Sequence, residues 1–112
     1  MNTCLFCKIV AGEIPSTKVY EDEHVLAFKD IAPLAPVHIL IIPKAHIGGA
    51  DELLPEHADT VAKLILTATA LADDLMLEDG YRLVTNIGEH GGQTVRHLHF
   101  HLLGGAGLGG FA

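Results

Sequence analysis

The stretch Arg96-His97-Leu98-His99-Phe100-His101-Leu102-Leu103 places three histidines at every second position near the end of the chain. Successive side chains of a β-strand point to opposite faces, so we expect His97, His99 and His101 to project from one face. The intervening apolar residues then anchor the other face in the core, and we take residues 95–103 as the final strand. Imidazole has an ordinary pKa of about 6.5, so such a row can supply a nucleophile and an acid near neutrality.

A glycine-rich loop, residues 88–94, directly precedes this row. Paired glycines let a backbone approach a ligand closely, and successive amide groups there can form a nest that binds an anion. Asn86 and Thr94 add an amide and a hydroxyl that can hold phosphate oxygens. Most glycine loops are only turns, and a histidine-rich strand can simply face solvent. The loop's position beside three histidines in register favours a phosphate site over both alternatives.

Hydrophobic patterns along the rest of the chain predict an α+β fold. Apolar residues at three- and four-residue spacing over residues 55–76 indicate one long helix, with Pro55 at its first position. A short helix over residues 3–11 ends at Gly12. Strand-forming residues are concentrated in four further segments, which are residues 18–21, 25–28, 37–42 and 81–87. Together these elements predict an antiparallel five-stranded sheet in a single domain spanning residues 1–112.

Length and charge restrict the class of protein. The chain has 112 residues, and 7 basic against 14 acidic residues give a formal charge of −7 with histidines neutral. Without a basic stripe, such a chain is a poor candidate for binding a nucleic-acid backbone. The apolar stretches are too short to span a membrane, and the N-terminus lacks the pattern of a secretory signal. We therefore expect a cytoplasmic protein that binds neither nucleic acid nor membrane.

The cysteines Cys4 and Cys7 form a Cys-x-x-Cys pair. Two cysteines at this spacing do not make the disulfide framework of a small secreted protein. The pair can be half of a zinc site or a redox pair, although a redox motif normally follows a strand. Packing of two small apolar side chains in a short helix is the third alternative.

Several motifs together resemble the histidine-triad (HIT) superfamily. The three histidines followed by two apolar residues match its signature, and Leu103-Gly104-Gly105 is similar to its Hint branch rather than to its dinucleoside polyphosphate hydrolases. The similarity extends upstream through Asn86 and residues 91–95 to two earlier motifs, Phe28-x-Asp30-Ile31-x-Pro33 and His38-x-x-x-Ile42-Pro43-Lys44-x-His46. The resemblance thus covers nearly the whole chain. It implies a HIT-like fold and a homodimer whose sheet continues across both subunits.

The resemblance also implies an activity. Hint-type proteins are hydrolases that cleave the P–N bond of purine nucleoside 5′-monophosphoramidates through a covalent nucleotidyl-histidine. The matching nucleophile is His99, and His101 is placed to contact the phosphate and give a proton to the leaving amine. His97 and His38 complete the implied catalytic group, with His38 supporting the protonation of the nucleophile. This scheme requires no metal cofactor.

A nucleotide-binding site is implied in the same way. Its phosphate contacts correspond to Asn86, Gly92 and Thr94, and Gln93 is included among the nucleotide-binding residues. Its purine pocket corresponds to five apolar residues, which are Leu5, Phe6, Ile9, Phe28 and Ile31. Asp30 stands at the position that binds the ribose hydroxyls. We therefore expect purine nucleoside monophosphate derivatives as ligands.

Related members of the superfamily bind structural zinc with a cysteine pair and the first histidine of the triad. By that resemblance, His46 and His97 can complete Cys4 and Cys7 into a tetrahedral set of two sulfurs and two nitrogens, which makes structural zinc a candidate cofactor. Two other functions remain open, a zinc- or copper-binding module and a nucleotide-binding HIT protein without catalysis. Residues 104–112 lack the Trp-Pro-Pro ending of many Hint proteins, which puts the tail's influence on the leaving group in doubt.

Overall fold

A computed structural model describes residues 3–110, which contain two α-helices and five strands. The helices are α1, Leu5–Val10, and α2, Ala58–Asp74. The strands are β1, Lys18–Glu21; β2, Val25–Lys29; β3, Val37–Pro43; β4, Tyr81–Val84; and β5, Phe100–Gly104. All neighbouring strands are antiparallel, in one sheet of order β1-β2-β3-β5-β4. The predicted α+β fold, with its five-stranded sheet, long helix and short N-terminal helix, is confirmed.

Helices cover both faces of the sheet, so the chain has two hydrophobic cores. On one face, α2 packs Leu64 and Leu71 against strand residues that include Leu102. On the other face, α1 packs Phe6 against a smaller cluster that includes Phe28. Successive residues of β2, of β3 and of the segment ending in β5 point to opposite faces of the sheet, because side chains alternate along a strand. This alternation puts the histidines of the triad on the α1 face.

β5 begins at Phe100, so the prediction of a strand over residues 95–103 is wrong at its N-terminal end. Phe100 pairs with Ile41 of β3, and β3 itself ends two residues later at Pro43. Pro43 still pairs with Val25 of β2, whereas the pairing of β3 with β5 has already ended at Ile41.

Side chains replace the missing ladder bonds in the segment before β5. His97 Nε2 donates to the carbonyl of Pro43 at 2.8 Å. The hydroxyl of Thr85 donates to the carbonyl of His99 at 2.7 Å. Both histidine rings pack edge-on against Phe6 of α1. The segment is therefore irregular but fixed, and it keeps the predicted side-chain alternation without being a strand.

α2 is shorter than the helix predicted over residues 55–76. Its N-terminal part, Pro55–His57, is a separate 3-10 turn in which the N–H of residue 57 bonds the carbonyl three residues earlier. At the other end, Met76 has a φ of +55°, a left-handed conformation that an α-helix cannot continue through. Ile65 and Leu75 of the predicted apolar stripe remain 41% and 43% exposed, because the sheet covers only part of the stripe's width.

The strand predicted over residues 81–87 ends earlier, at Val84. Thr85 turns its hydroxyl to the segment before β5, and the side-chain amide of Asn86 donates to the carbonyl of Gly91 at 2.9 Å. These side-chain bonds start the glycine-rich loop where the sequence pattern still suggested a strand. Within residues 3–110, no helix is long and apolar enough to cross a bilayer.

Candidate functional site

A cavity of about 310 Å³ opens on the α1 face of the sheet. It is lined by all five apolar residues predicted for the purine pocket, which are Leu5, Phe6, Ile9, Phe28 and Ile31. Asp30, Thr94, His99 and His101 line the same cavity. A larger cavity of about 430 Å³ lies between α2 and the sheet, but neither His99 nor His101 lines it. The nucleophile and acid candidates therefore single out the smaller cavity.

The wall of this cavity suits a flat aromatic ring. Phe6 packs edge-to-face on Phe28, with ring centroids 5.6 Å apart, and on His99, with centroids 5.1 Å apart. Ile31 is fully exposed at the rim, where it can pack against a bound ring. Apolar walls with a few convergent polar groups are typical of small-molecule sites. Asp30 is such a group. Among residues 3–110 its carboxylate accepts a hydrogen bond from the Ala32 N–H and faces His38, so it retains acceptor capacity for hydroxyls.

The tautomer of His99 follows from one hydrogen bond. Its Nδ1 lies 2.7 Å from the carbonyl oxygen of His97. A carbonyl oxygen can only accept, so Nδ1 carries the proton and donates it. In the neutral ring the lone pair then lies on Nε2. His99 is 4% exposed, and its ring is held by Phe6, so the nucleophilic atom has a fixed position.

A chain of hydrogen bonds also fixes the tautomers of His38 and His101. The Leu34 N–H donates to His38 Nδ1 at 3.1 Å, which leaves the proton of a neutral His38 on Nε2. That Nε2 lies 2.8 Å from His101 Nδ1 and 3.4 Å from Asp30 Oδ2. His38 therefore donates to His101 Nδ1, and His101 carries its own proton on Nε2. The backbone of Leu34 thus determines which atom of His101 can give a proton to a ligand.

Asp30, His38 and His101 also lie close enough to hold a metal ion, with ligand atoms within 4.8 Å of one another. His38 nevertheless accepts the Leu34 N–H on Nδ1. Coordination through Nε2 would then leave both nitrogens without a proton, which is an imidazolate. This cluster is better suited to moving a proton than to binding a cation.

Burial lowers the pKa of His101 to about 4, and its neighbours His99 and His38 act in the same direction. The ring is therefore neutral at physiological pH. A nearby anionic phosphate favours the charged form of a histidine and raises its pKa. A bound phosphate would thus convert His101 into an acid at the moment that an acid is needed.

The C-terminal end of the glycine-rich loop borders the cavity. Of the described loop residues, Thr94 lines the cavity, whereas Asn86, Gly92 and Gln93 are outside the lining. Gly92 has a φ of +85°, and an added Cβ would have only the Asn86 amide nitrogen, at 3.7 Å, near it. The backbone conformation thus favours glycine there, and the space beside it is open. The assignment of these residues to phosphate binding stays a prediction.

A second cluster lies beside the cavity and matches the predicted metal ligands. The ligand atoms of Cys4, Cys7, His46 and His97 are all within 4.8 Å of one another. Cys4 Sγ lies 3.3 Å from His97 Nδ1, and Cys7 Sγ lies 3.2 Å from His46 Nδ1. Tetrahedral zinc, with Zn–S near 2.3 Å and Zn–N near 2.0 Å, separates sulfur from nitrogen by about 3.5 Å. The donor types and their spacing fit such an ion.

The protonation of His97 is also that of a metal ligand. Its Nε2 donates to the Pro43 carbonyl, so Nδ1 has a lone pair and faces the two sulfurs. Burial lowers the pKa of His97, which favours the neutral ring that a metal requires. Metal-binding histidines commonly donate their second N–H to a carbonyl in this way. The same cluster explains why α1 begins at Leu5 rather than at residue 3, since Cys4 caps it by accepting the Cys7 N–H.

His97 differs from the other two histidines of the triad. It is completely buried, and its ring faces the cysteines rather than the cavity. Its contact with His99 is through its backbone carbonyl. The predicted catalytic role of the His97 side chain stays a prediction, and the structure adds a positioning role for its main chain.

The sequence analysis missed a group of polar residues beside the glycine-rich loop. Arg96 forms ion pairs with Asp51 at 3.0 Å and with Glu52 at 3.1 Å. Arg96 also donates to Gln93 Oε1 at 2.8 Å. The two acidic partners are more than forty positions away in the sequence, so no local pattern links them to Arg96.

The chain is similar to known proteins over most of its length. The HIT domain family model matches residues 11–108. The purine nucleoside phosphoramidase of Escherichia coli (strain K12) is 48% identical over 106 residues, covering 94% of this chain and 89% of that protein. A 14 kDa zinc-binding protein of Zea mays is 52% identical over 103 residues, covering 90% of this chain and 80% of that protein. A solved HIT family hydrolase from Clostridium thermocellum superimposes with a TM-score of 0.95 at 51% identity, covering 99% of this chain and 97% of that one.

The depressed pKa of His101 makes the stability of the fold depend on pH. Its folded pKa is about 4 against an ordinary 6.5, so the unfolded chain binds the proton first as pH falls. The free energy of unfolding should therefore decrease between about pH 6.5 and pH 4, and be unaffected by this group above pH 7. Urea unfolding from pH 4.5 to 7.5 measures this, and His101→Gln should flatten the slope. The exposed His24→Gln is the control; equal slopes in all three proteins would contradict the assignment.

Proposed function

The chain belongs to the HIT family, in its Hint-type branch of hydrolases, and from this membership we propose that it hydrolyses the P–N bond of purine nucleoside 5′-monophosphoramidates. The observation that carries the proposal is the hydrogen bond from His99 Nδ1 to the carbonyl of His97. It leaves the lone pair on Nε2 of a buried histidine that lines an apolar, purine-sized cavity. The purine nucleoside phosphoramidase from Escherichia coli supports the substrate class by its similarity.

In the first step, His99 Nε2 attacks the phosphorus and a bond from Nε2 to phosphorus forms. The P–N bond to the leaving amine breaks. His101, which the bound phosphate favours in its protonated form, gives its Nε2 proton to that nitrogen and becomes neutral. The amine is a strongly basic leaving group, so its protonation removes much of the barrier. The positive charge that develops on the His99 ring is stabilised through Nδ1–H by the His97 carbonyl. The product is a covalent nucleotidyl-histidine.

In the second step, water attacks the phosphorus and the bond to His99 Nε2 breaks. His101, now neutral, accepts a proton from that water, and the nucleoside monophosphate is released. While His101 is neutral, the hydrogen bond from His38 Nε2 to its Nδ1 orients it to accept that proton. Thr94 and the backbone of the glycine-rich loop hold the charge that spreads over the phosphoryl oxygens. Asp30 accepts the ribose hydroxyls, and the cavity around Phe6 takes the purine.

Structural zinc forms a second part of the proposal. Cys4, Cys7, His46 and His97 would hold it, on the fit of their spacing and protonation to a tetrahedral site. The ion would cross-link α1, which carries the purine wall, to the segment that carries His99. It would take no part in the bond changes. The zinc-binding protein of Zea mays is a relative whose name agrees with this site.

The remaining expectations concern assembly and location. β1 and β4 are the edge strands of the sheet, so either gives a second copy a strand to pair with. Ile65 and Tyr81 leave exposed apolar surface on α2 and β4. A homodimer with a continuous sheet is our proposal for this surface, and the cytoplasmic location stays a prediction.

Amine release tests the proposed activity. Wild type and His99→Ala are incubated with adenosine 5′-phosphoramidates that carry fluorogenic amines, and the released amine is followed. We expect His99→Ala to fall to background, and His101→Gln to lose about 10²-fold in kcat/KM. The loss in His101→Gln should be smaller for weakly basic amines, because these depart with less protonation. The exposed His24→Gln, on the turn before β2, should match wild type.

Each outcome of this assay has a clear meaning. Equal release from wild type and His99→Ala would assign the chemistry to another residue. AMP binding without release would indicate a non-catalytic nucleotide-binding protein. No AMP binding and no release, with tightly held metal, would favour the metal-binding module.

Metal analysis tests the zinc site. Protein purified in the presence of zinc should contain about one ion per chain, since the site offers one complete tetrahedral set. Cys4→Ser and Cys7→Ser should lose the ion, and their melting temperatures should fall to that of chelator-treated wild type, because metal binding contributes to folding. His24→Gln should retain the ion. Zinc-free wild type, or serine variants that keep a full equivalent, would contradict the site.

A further inference from the structure

The side chain of Gln93 makes hydrogen bonds with every polar group that it has. Nε2 donates to the carbonyl of Gly48 at 2.7 Å and to the carbonyl of Val95 at 2.9 Å. Oε1 accepts from the Gly88 N–H at 3.0 Å and from Arg96 at 2.8 Å. A neutral amide has two N–H donors and two lone pairs, so its capacity is filled. The orientation of the amide is unambiguous, because two partners can only accept and two can only donate.

These bonds close the glycine-rich loop on itself. Gly88 begins the loop, and its N–H is held by the side chain of Gln93 while its carbonyl accepts the Gln93 N–H at 3.0 Å. Val95 follows the loop, and its carbonyl is held by the same side chain. Gly92 and Thr94, both predicted to contact phosphate, lie on either side of Gln93 in the chain. The two ends of the loop therefore cannot move apart without breaking bonds to Gln93.

A second layer fixes the loop to the rest of the protein. Gly48 lies in the segment after β3. Its carbonyl accepts a hydrogen bond from Gln93 Nε2, and its N–H donates to Glu52 Oε1 at 2.9 Å. Arg96 connects the loop to this segment, because it forms ion pairs with Glu52 and Asp51 and also donates a hydrogen bond to Gln93. The guanidinium of Arg96 lies against the backbone of Gly49, since a Cβ added to Gly49 would stand 2.5 Å from Arg96 Nη1. The loop is thus held against a segment more than forty residues earlier in the chain.

We propose that Gln93 is a positioning residue for the phosphate of the substrate, and that Arg96, Asp51 and Glu52 support it. The proposal rests on the function proposed above and assigns to Gln93 a role other than direct contact. Its side chain has no bonding capacity left for a ligand. Gln93 holds the loop in the shape that presents its backbone and Thr94 to phosphoryl oxygens. The entropic cost of ordering the loop when phosphate binds is therefore smaller.

Comparing AMP with adenosine separates positioning from a general structural role. Both ligands fill the purine cavity, but only AMP has a phosphate for the loop to hold. By calorimetric titration, Gln93→Met should weaken AMP binding about tenfold while adenosine binding changes less than about twofold. Arg96→Met should weaken AMP binding only about threefold, since its ion pairs are partly exposed. kcat/KM for the phosphoramidate should fall in the same order.

Controls distinguish the inference from the function on which it depends. Arg82→Met removes an arginine that bonds only the carbonyl of Gly109 among described residues, and it should change neither affinity. Equal losses for AMP and adenosine in Gln93→Met, or no loss for either, would overturn the inference alone. Wild type that binds AMP no more tightly than adenosine and releases no amine would overturn the proposed function and the inference together. If Gln93→Met does not fold, the affinities of Arg96→Met for AMP and adenosine provide the same comparison.

Discussion

The hydrogen bond from His99 Nδ1 to the carbonyl of His97 is the contact on which the site depends. In a regular ladder that carbonyl would pair with a neighbouring strand and be unavailable to a side chain. It is available here because the pairing of β3 with β5 ends at Ile41 and Phe100, so His97 lies outside the ladder. The carbonyl that the end of this ladder leaves available thus decides which nitrogen of His99 carries the lone pair.

The rest of the structure keeps this segment in place from three directions. Phe6 of α1 packs against the rings of His97 and His99, and the cysteines at the start of α1 face His97. Thr85 holds the carbonyl of His99 from the side of β4. The larger core beneath α2 anchors the opposite face through buried residues such as Leu98 and Leu102. The larger core and the reactive groups therefore lie on opposite faces of one sheet.

Local periodicity was enough to predict most of the fold, and the family resemblance predicted the residues of the cavity. The spacing of the histidines put them on one face, and the family resemblance placed Phe6, Phe28 and His99 around one pocket, as they are found. Sequence patterns could not place the start of β5 or the bonds of Gln93. Both depend on partners distant in the chain, Ile41 in one case and Gly48 in the other. A local pattern carries no information about which carbonyl another segment leaves unpaired.

The protonation of the His99 ring is the most direct measurement of this arrangement. Nitrogen NMR of protein labelled with ¹⁵N at histidine, recorded at about pH 8 where ordinary imidazoles are neutral, distinguishes the two tautomers. The structure predicts a proton on Nδ1 and an unprotonated nitrogen at Nε2 of His99. A proton on Nε2 would leave no lone pair facing the substrate and would contradict nucleophilic attack by this histidine.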